Sequence, residues 1–92
     1  MTEEEFKKLQ VPVFPYSDFG MHENPTAIGY FIKNASTECQ LNVWFCKYRE
    51  ETSITLFNPH ETEMNTHKEV FRTKSKKQLS QSLFQLIDKY LK

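Results

Sequence analysis

Glycine is scarce in this chain of 92 residues, with only Gly20 and Gly29, too far apart to form the glycine-rich loop that cradles phosphates. Cysteine is as scarce. Cys39 and Cys46 are the only two, and both fall within one strand-like run. At ~3.3 Å per residue their Cα atoms would stand ~23 Å apart on a straight strand, well beyond the reach of a disulfide. No apolar run approaches the ~18 residues that a membrane helix needs. The start Met1-Thr-Glu-Glu-Glu is acidic, where a secretory signal would be basic and then apolar. The expectation is a soluble cytoplasmic protein with reduced thiols and no membrane association, in which the Asn34-Ala-Ser36 sequon is a chance match.

What is abundant is aromatic and charged. Eight Phe, four Tyr and one Trp make 14% of the chain, so a few large side chains carry much of its burial. A single domain spanning residues 1–92 is expected, with room for one core, since a chain of this size buries roughly 60–65% of the surface it exposes when unfolded. Net charge is zero but unevenly placed. Residues 1–67 carry five basic and ten acidic side chains, whereas residues 68–92 carry seven basic against Glu69 and Asp88. That basic quarter either lies on an acidic sheet, faces solvent, or forms a docking surface for an anion or nucleic acid.

Periodicity outlines an α+β fold: an antiparallel meander of three to four strands, with a short N-terminal helix and a long amphipathic C-terminal helix packed on one face. Thr2 and Glu5 have the spacing of a capping box, and Phe6 and Leu9 an apolar stripe, which together predict a two-turn helix over 3–9. Pro12 and Pro15 end it, and the apolar arm Val11 to Tyr16 is expected to lie across the domain. The two prolines match a P-x-x-P ligand in spacing alone. Ser17 to Pro25 reads as loop, punctuated by Gly20 and Asn24-Pro25. Strands follow at Ala27 to Ile32, Cys39 to Arg49 and Ser53 to Phe57, turning at Asn34 to Glu38 and at Glu50 to Thr52, with a short fourth strand around Val70 and Phe71. Gly29 marks a bulge or a close backbone approach. The stretch Asn58 to Lys68 reads as a polar, mobile loop. Ser75 with Gln78 predicts a second capping box, and Leu79, Leu83, Leu86, Ile87 and Tyr90 recur at helical spacing to Leu91, with Phe84 and Leu91 widening the stripe.

The second strand breaks the usual alternation. Leu41, Val43 and Phe45 line one face, but Trp44, Cys46 and Tyr48 fall on the other, where a half-wet sheet shows polar residues. The Val11 to Tyr16 arm or a second copy of the chain is expected to cover that face; left open, it would be a binding surface.

Chemistry-bearing motifs are few. His60, Glu61, Glu63 and His67 share one stretch, but a histidine spacing of seven with no supporting cysteine does not match a zinc motif. Cys46 in an apolar strand is a core thiol rather than a nucleophile. Glu50 and Glu51 share a solvated turn. No catalytic residue, metal or cofactor is expected, and the chain reads as a non-enzyme. Lys74, Lys76 and Lys77 surround the start of the last helix, where positive charge opposes the helix dipole by ~0.3–1 kcal/mol each and a bound phosphate would reverse the effect. The order helix, three strands, helix, with lysines at the second helix start, resembles a double-stranded-RNA-binding domain in outline. The Gly-Pro-x-His loop of that family has no counterpart, since Asn34 to Glu38 stands between the first two strands.

These readings point to a small protein-protein interaction module, an inhibitor, adaptor or regulator of a size common among phage and mobile-element accessory proteins, with another protein or a second copy as partner. Trp44, Tyr48 and Arg49 are its candidate binding residues, because these residue types dominate binding hot spots. The alternative is a nucleic-acid-binding module using Arg72, Lys74, Lys76 and Lys77.

Overall fold

The computed structural model describes residues 1–11, 14–60 and 67–92. Helix α1 (Glu3–Lys7) is followed by strands β1 (Ser17–Glu23), β2 (Ala27–Asn34), β3 (Gln40–Cys46), β4 (Glu51–Phe57) and β5 (His67–Thr73), then helix α2 (Lys76–Tyr90). The strands form one antiparallel sheet in the order β1-β2-β3-β4-β5. This is the expected α+β meander, enlarged by β1 and by a full-length β5; the two additions take the chain outside the three-strand outline of an RNA-binding domain. Among the described residues no helix is long and apolar enough to cross a membrane.

The core lies on one face of the sheet. Ile28, Tyr30 and Ile32 of β2, Leu41, Val43 and Phe45 of β3, and Ile54 and Leu56 of β4 are buried there. α2 crosses this face with Leu79, Leu83 and Ile87 buried against it. Leu91, just past the helix end, is buried as well, but Phe84 is exposed, so the apolar stripe is narrower than its sequence suggests. Both ends of α2 are tied down. Ser75 Oγ accepts from Gln78 N–H, but the Gln78 side chain does not reach back: Thr73 Oγ1 accepts from Ser75 N–H and donates to Gln78 Oε1. Thr73 therefore completes the cap that Gln78 was expected to complete. At the other end buried Asn34 donates through Nδ2 to the Leu91 carbonyl, while its Oδ1 accepts from Ser36 and Thr37 N–H. Asn34 is thus a structural residue that joins the β2–β3 turn to α2.

α1 has the full capping box expected of Thr2 and Glu5. A helix of five residues is too short to stand alone. It is held by Phe6, whose ring stacks on Tyr30 and Phe45 at centroid distances of 5.4 and 5.2 Å. Phe14 is buried in the same cluster, with Leu9 and Val11 packed against it. The arm, so far as it is described, therefore covers the face that α2 covers, and not the Trp44 face for which it was expected. The physical reason is the Phe6 stack, which starts the arm on the helix side. Burial without a partner among the described residues pushes the Tyr30 hydroxyl well above the usual tyrosine range.

Two further stretches depart from the sequence-based expectation. Ser17 to Glu23 is a strand and not a loop, with Gly20 inside it. β3 ends at Cys46, and Lys47 to Glu50 make the turn, closed by Glu50 N–H to Cys46 C=O and a left-handed Glu50 at φ 52°, while Lys47 N–H to Thr26 C=O continues the pairing with the β2 side by one residue. Tyr48 and Arg49 belong to that turn and not to the strand.

Replacing Leu83 by alanine should cost about 2–5 kcal/mol in chemical denaturation, because the side chain is buried where α2 meets the sheet. A change below about 1 kcal/mol would place α2 outside the core.

Candidate functional site: the open face of the sheet

With both helices on one face, the other face carries no covering element among the described residues. Two cross-strand rows organise it. His22, Gly29, Trp44, Ser53 and Arg72 are successive partners across all five strands, and Gly20, Phe31, Asn42, Thr55 and Glu69 form the adjacent row. Each glycine lies beneath an aromatic ring. A Cβ on Gly29 would stand 2.6 Å from the Trp44 ring, and one on Gly20 would stand 2.4 Å from Phe31. The glycines are therefore places of close approach, where the missing side chain lets a neighbouring ring lie on the backbone. Gly29 has that role and not the role of a bulge, since its pairing to both neighbours is regular.

Trp44 is the centre of this face, 38% exposed, with the His22 ring edge-on to it at 6.3 Å. A depression opens on either side. One, of about 280 Å³, is lined by Phe31, Trp44, His22 and Asn42 over a floor that includes Gly20 and Gly29. The other, of about 470 Å³, is lined by Ala27, Cys46 and Ser53 with Arg49, Glu51 and Arg72. The first is aromatic and the second charged.

The charges of the second depression are largely satisfied internally. Arg72 donates through Nε and Nη2 to Glu69 Oε1 at 3.1 and 2.6 Å, and through Nη1 to Glu51 Oε1 at 2.7 Å. The hydrogen bonds from Glu69 and then Glu51 raise its pKa further above the usual arginine range. Arg49 has no ion-pair partner among the described residues and supplies the free cation at the rim.

The predicted site residues separate into three groups. Trp44 and Arg49 meet around the second depression. Tyr48, in the turn, is 80% exposed and lines neither depression. Arg72 points into the open face and is neutralised there, while Lys74, Lys76 and Lys77 stand at the exposed start of α2. The four basic residues thus do not form one surface with Arg72 as a free member. Residues that sequence reasoning passed over are Phe31, His22, Asn42 and Ser53; the signal that could have found them is the period-two placement of Phe31 and Trp44 on the side opposite Ile32 and Phe45.

The arrangement offers little chemistry. Cys39 and Cys46 are free, half-buried thiols. Each histidine has a neighbour of its own: His60 Nε2 meets the Thr37 carbonyl at 2.8 Å, His67 stacks on Phe57 at 4.5 Å, and His22 lies edge-on to Trp44. Among the described residues no three His, Cys, Asp or Glu side chains gather as a metal site, and Glu61 and Glu63 lie outside the described residues. Comparison of the chain with known protein families, with curated proteins and with solved structures gives no match in any of the three.

Gly29→Ala tests the floor of the site. The added methyl must displace the Trp44 ring, so the variant should shift Trp44 emission and cost roughly 1–3 kcal/mol. Unchanged emission and stability would mean that the ring does not rest on Gly29.

Proposed function

We propose that this protein is a non-catalytic protein-interaction module of the inhibitor, adaptor or regulator kind, which docks its partner on the open face of the sheet with Trp44 as the anchor. The observation that carries the reading is the placement of Trp44: central on a face without cover among the described residues, laid flat on Gly29, and flanked by an aromatic and a charged depression. Large aromatic side chains at the centre of a patch, ringed by polar groups, have the composition of binding hot spots. A partner with an apolar side chain for the Phe31 and Trp44 depression and a carboxylate for Arg49 fits this surface.

Flat, regular packing supports the reading as well. Ser53 and Gly29, the cross-strand neighbours of Trp44, are both small, so the outer face of the indole stays accessible to another molecule. Nucleic-acid binding draws on Lys74, Lys76 and Lys77, but the charge of Arg72 is already balanced by Glu51 and Glu69. The protein reading therefore takes precedence.

The test is affinity purification from the native host with three baits: the wild type, Trp44→Ala, and a Lys74/Lys76/Lys77→Ala triple variant. A partner held by the wild type and the triple variant, and weakened about 30-fold or more by Trp44→Ala at unchanged circular dichroism, is the expected result. Capture that ignores Trp44→Ala but disappears in the triple variant and falls steeply with salt would replace this reading with nucleic-acid binding.

A further inference from the structure

A meander sheet has two edges, and the two edges here differ. β5 breaks register opposite Ile54 and Thr55, and it carries Lys68, Glu69 and Arg72. A bulge and charge together are how native sheets blunt an edge against pairing. β1 has no such break, and its acidic residues, Asp18 and Glu23, sit toward its two ends. It pairs with β2 over seven consecutive residues without a shift, and it leaves Phe19 and Met21, 46% and 56% exposed, on the helix side beyond the reach of α2.

Among the described residues the outer backbone edge of β1 is also largely unpaired. The bonds Ala35 N–H to Tyr16 C=O and Asn24 N–H to Ala27 C=O set the β1–β2 ladder at the even positions of β1. The odd positions therefore direct their N–H and C=O groups away from the sheet. Ser17 N–H is satisfied by Phe14 C=O, and Phe19 N–H by the carboxylate of the adjacent Asp18 at 2.9 Å. The remaining edge groups, centred on Phe19, Met21 and Glu23, offer a strand-shaped template.

We infer that a second copy of this chain adds its own β1 to that edge, antiparallel, about a twofold axis through Gly20. The sequence Ser17-Asp-Phe-Gly-Met-His-Glu23 is complementary to itself in this register. Phe19 stands opposite Met21 of the second copy, and the two exchange both backbone bonds, since both are odd positions. Thioether and aromatic ring make a favourable pair. On the open face Asp18 stands opposite His22 of the second copy, an acid against a base, and its carboxylate leaves Phe19 N–H for that partner. A shift of two residues either way keeps the backbone parity but loses the Asp18–His22 pairs and shortens the overlap. The sequence thus selects the register.

Gly20 at the axis has a reason of its own. The Phe31 ring lies over it, and opposed residues of a pair without hydrogen bonds stand ~4.5 Å apart at Cα. The two Phe31 rings therefore meet across the axis at aromatic contact distance. The second copy's Phe31 closes the outer wall of the aromatic depression, and Trp44 and Phe31 of both copies join in one strip on a ten-stranded sheet. This assembly is independent of whether Trp44 anchors a foreign partner.

Sedimentation of the full chain from about 1 to about 300 µM tests it, because this range spans the dissociation of a weak, transient dimer. The wild type should reach twice its 11.0 kDa chain mass. Met21→Pro removes a donor that faces the open edge and not β2, so it should leave the monomer folded by circular dichroism and abolish the dimer. His22→Asp opposes two carboxylates and should weaken dimerisation about tenfold, whereas His22→Lys should tighten it. A wild type that stays at the chain mass throughout overturns the inference. So does a dimer that His22→Asp weakens no more than His22→Lys.

Discussion

The stack of Phe6 on Tyr30 and Phe45 decides which face of the sheet is covered. A chain of 92 residues has material for one layer of helix, and a five-stranded sheet has two faces. Because Phe6 brings α1 and the arm to the side already held by Leu79, Leu83 and Ile87, both covering elements are spent on one face. Asn34 reinforces the choice, since its hydrogen bond to Leu91 fixes the end of α2 over the same surface. Among the described residues the opposite face is left without a covering element.

Its residues suit that exposure in an unusual way. Trp44 and Phe31 are large, but each lies on a glycine of the next strand, so one ring face is buried against backbone while the other stays open. Around them the face is small or polar, with Ser53, Thr55 and Asn42, and the Arg72 bridge to Glu51 and Glu69 closes its far side. Such a surface keeps two rigid aromatic platforms exposed at little conformational cost, and rigid aromatics are what protein interfaces use as anchors.

Much of this fold was legible in the sequence, and the failures have identifiable causes. α2 was legible because Ser75 caps it and its leucines recur at helical spacing, and α1 because Thr2 and Glu5 form a reciprocal cap. The strands β2 to β4 followed from alternation. β1 was missed because its one glycine reads as loop punctuation, whereas the need for Gly20 comes from Phe31, on another strand. The end of β3 was misplaced because Tyr48 and Arg49 continue the alternation past Cys46, and the turn that interrupts it rests on the bond from Glu50 N–H to Cys46 C=O and on a left-handed Glu50, which carries no glycine or asparagine signal. The site was half legible for the same reason. Composition singles out Trp44 and Arg49, but only the register of five strands reveals that Arg72 is neutralised by Glu51, and that His22 and Ser53 share a row with Trp44.

The central claim is that the face bearing Trp44 is open in the folded chain, whether one copy or two edge-joined copies are present. Trp44 is the only tryptophan, so acrylamide quenching of its fluorescence, measured across protein concentrations, reads that face alone. An open face predicts emission between the buried and fully exposed wavelengths and ready quenching in the native protein at every concentration. A blue-shifted emission that acrylamide cannot reach would contradict it, because the indole would then be enclosed by something other than Gly29 and His22.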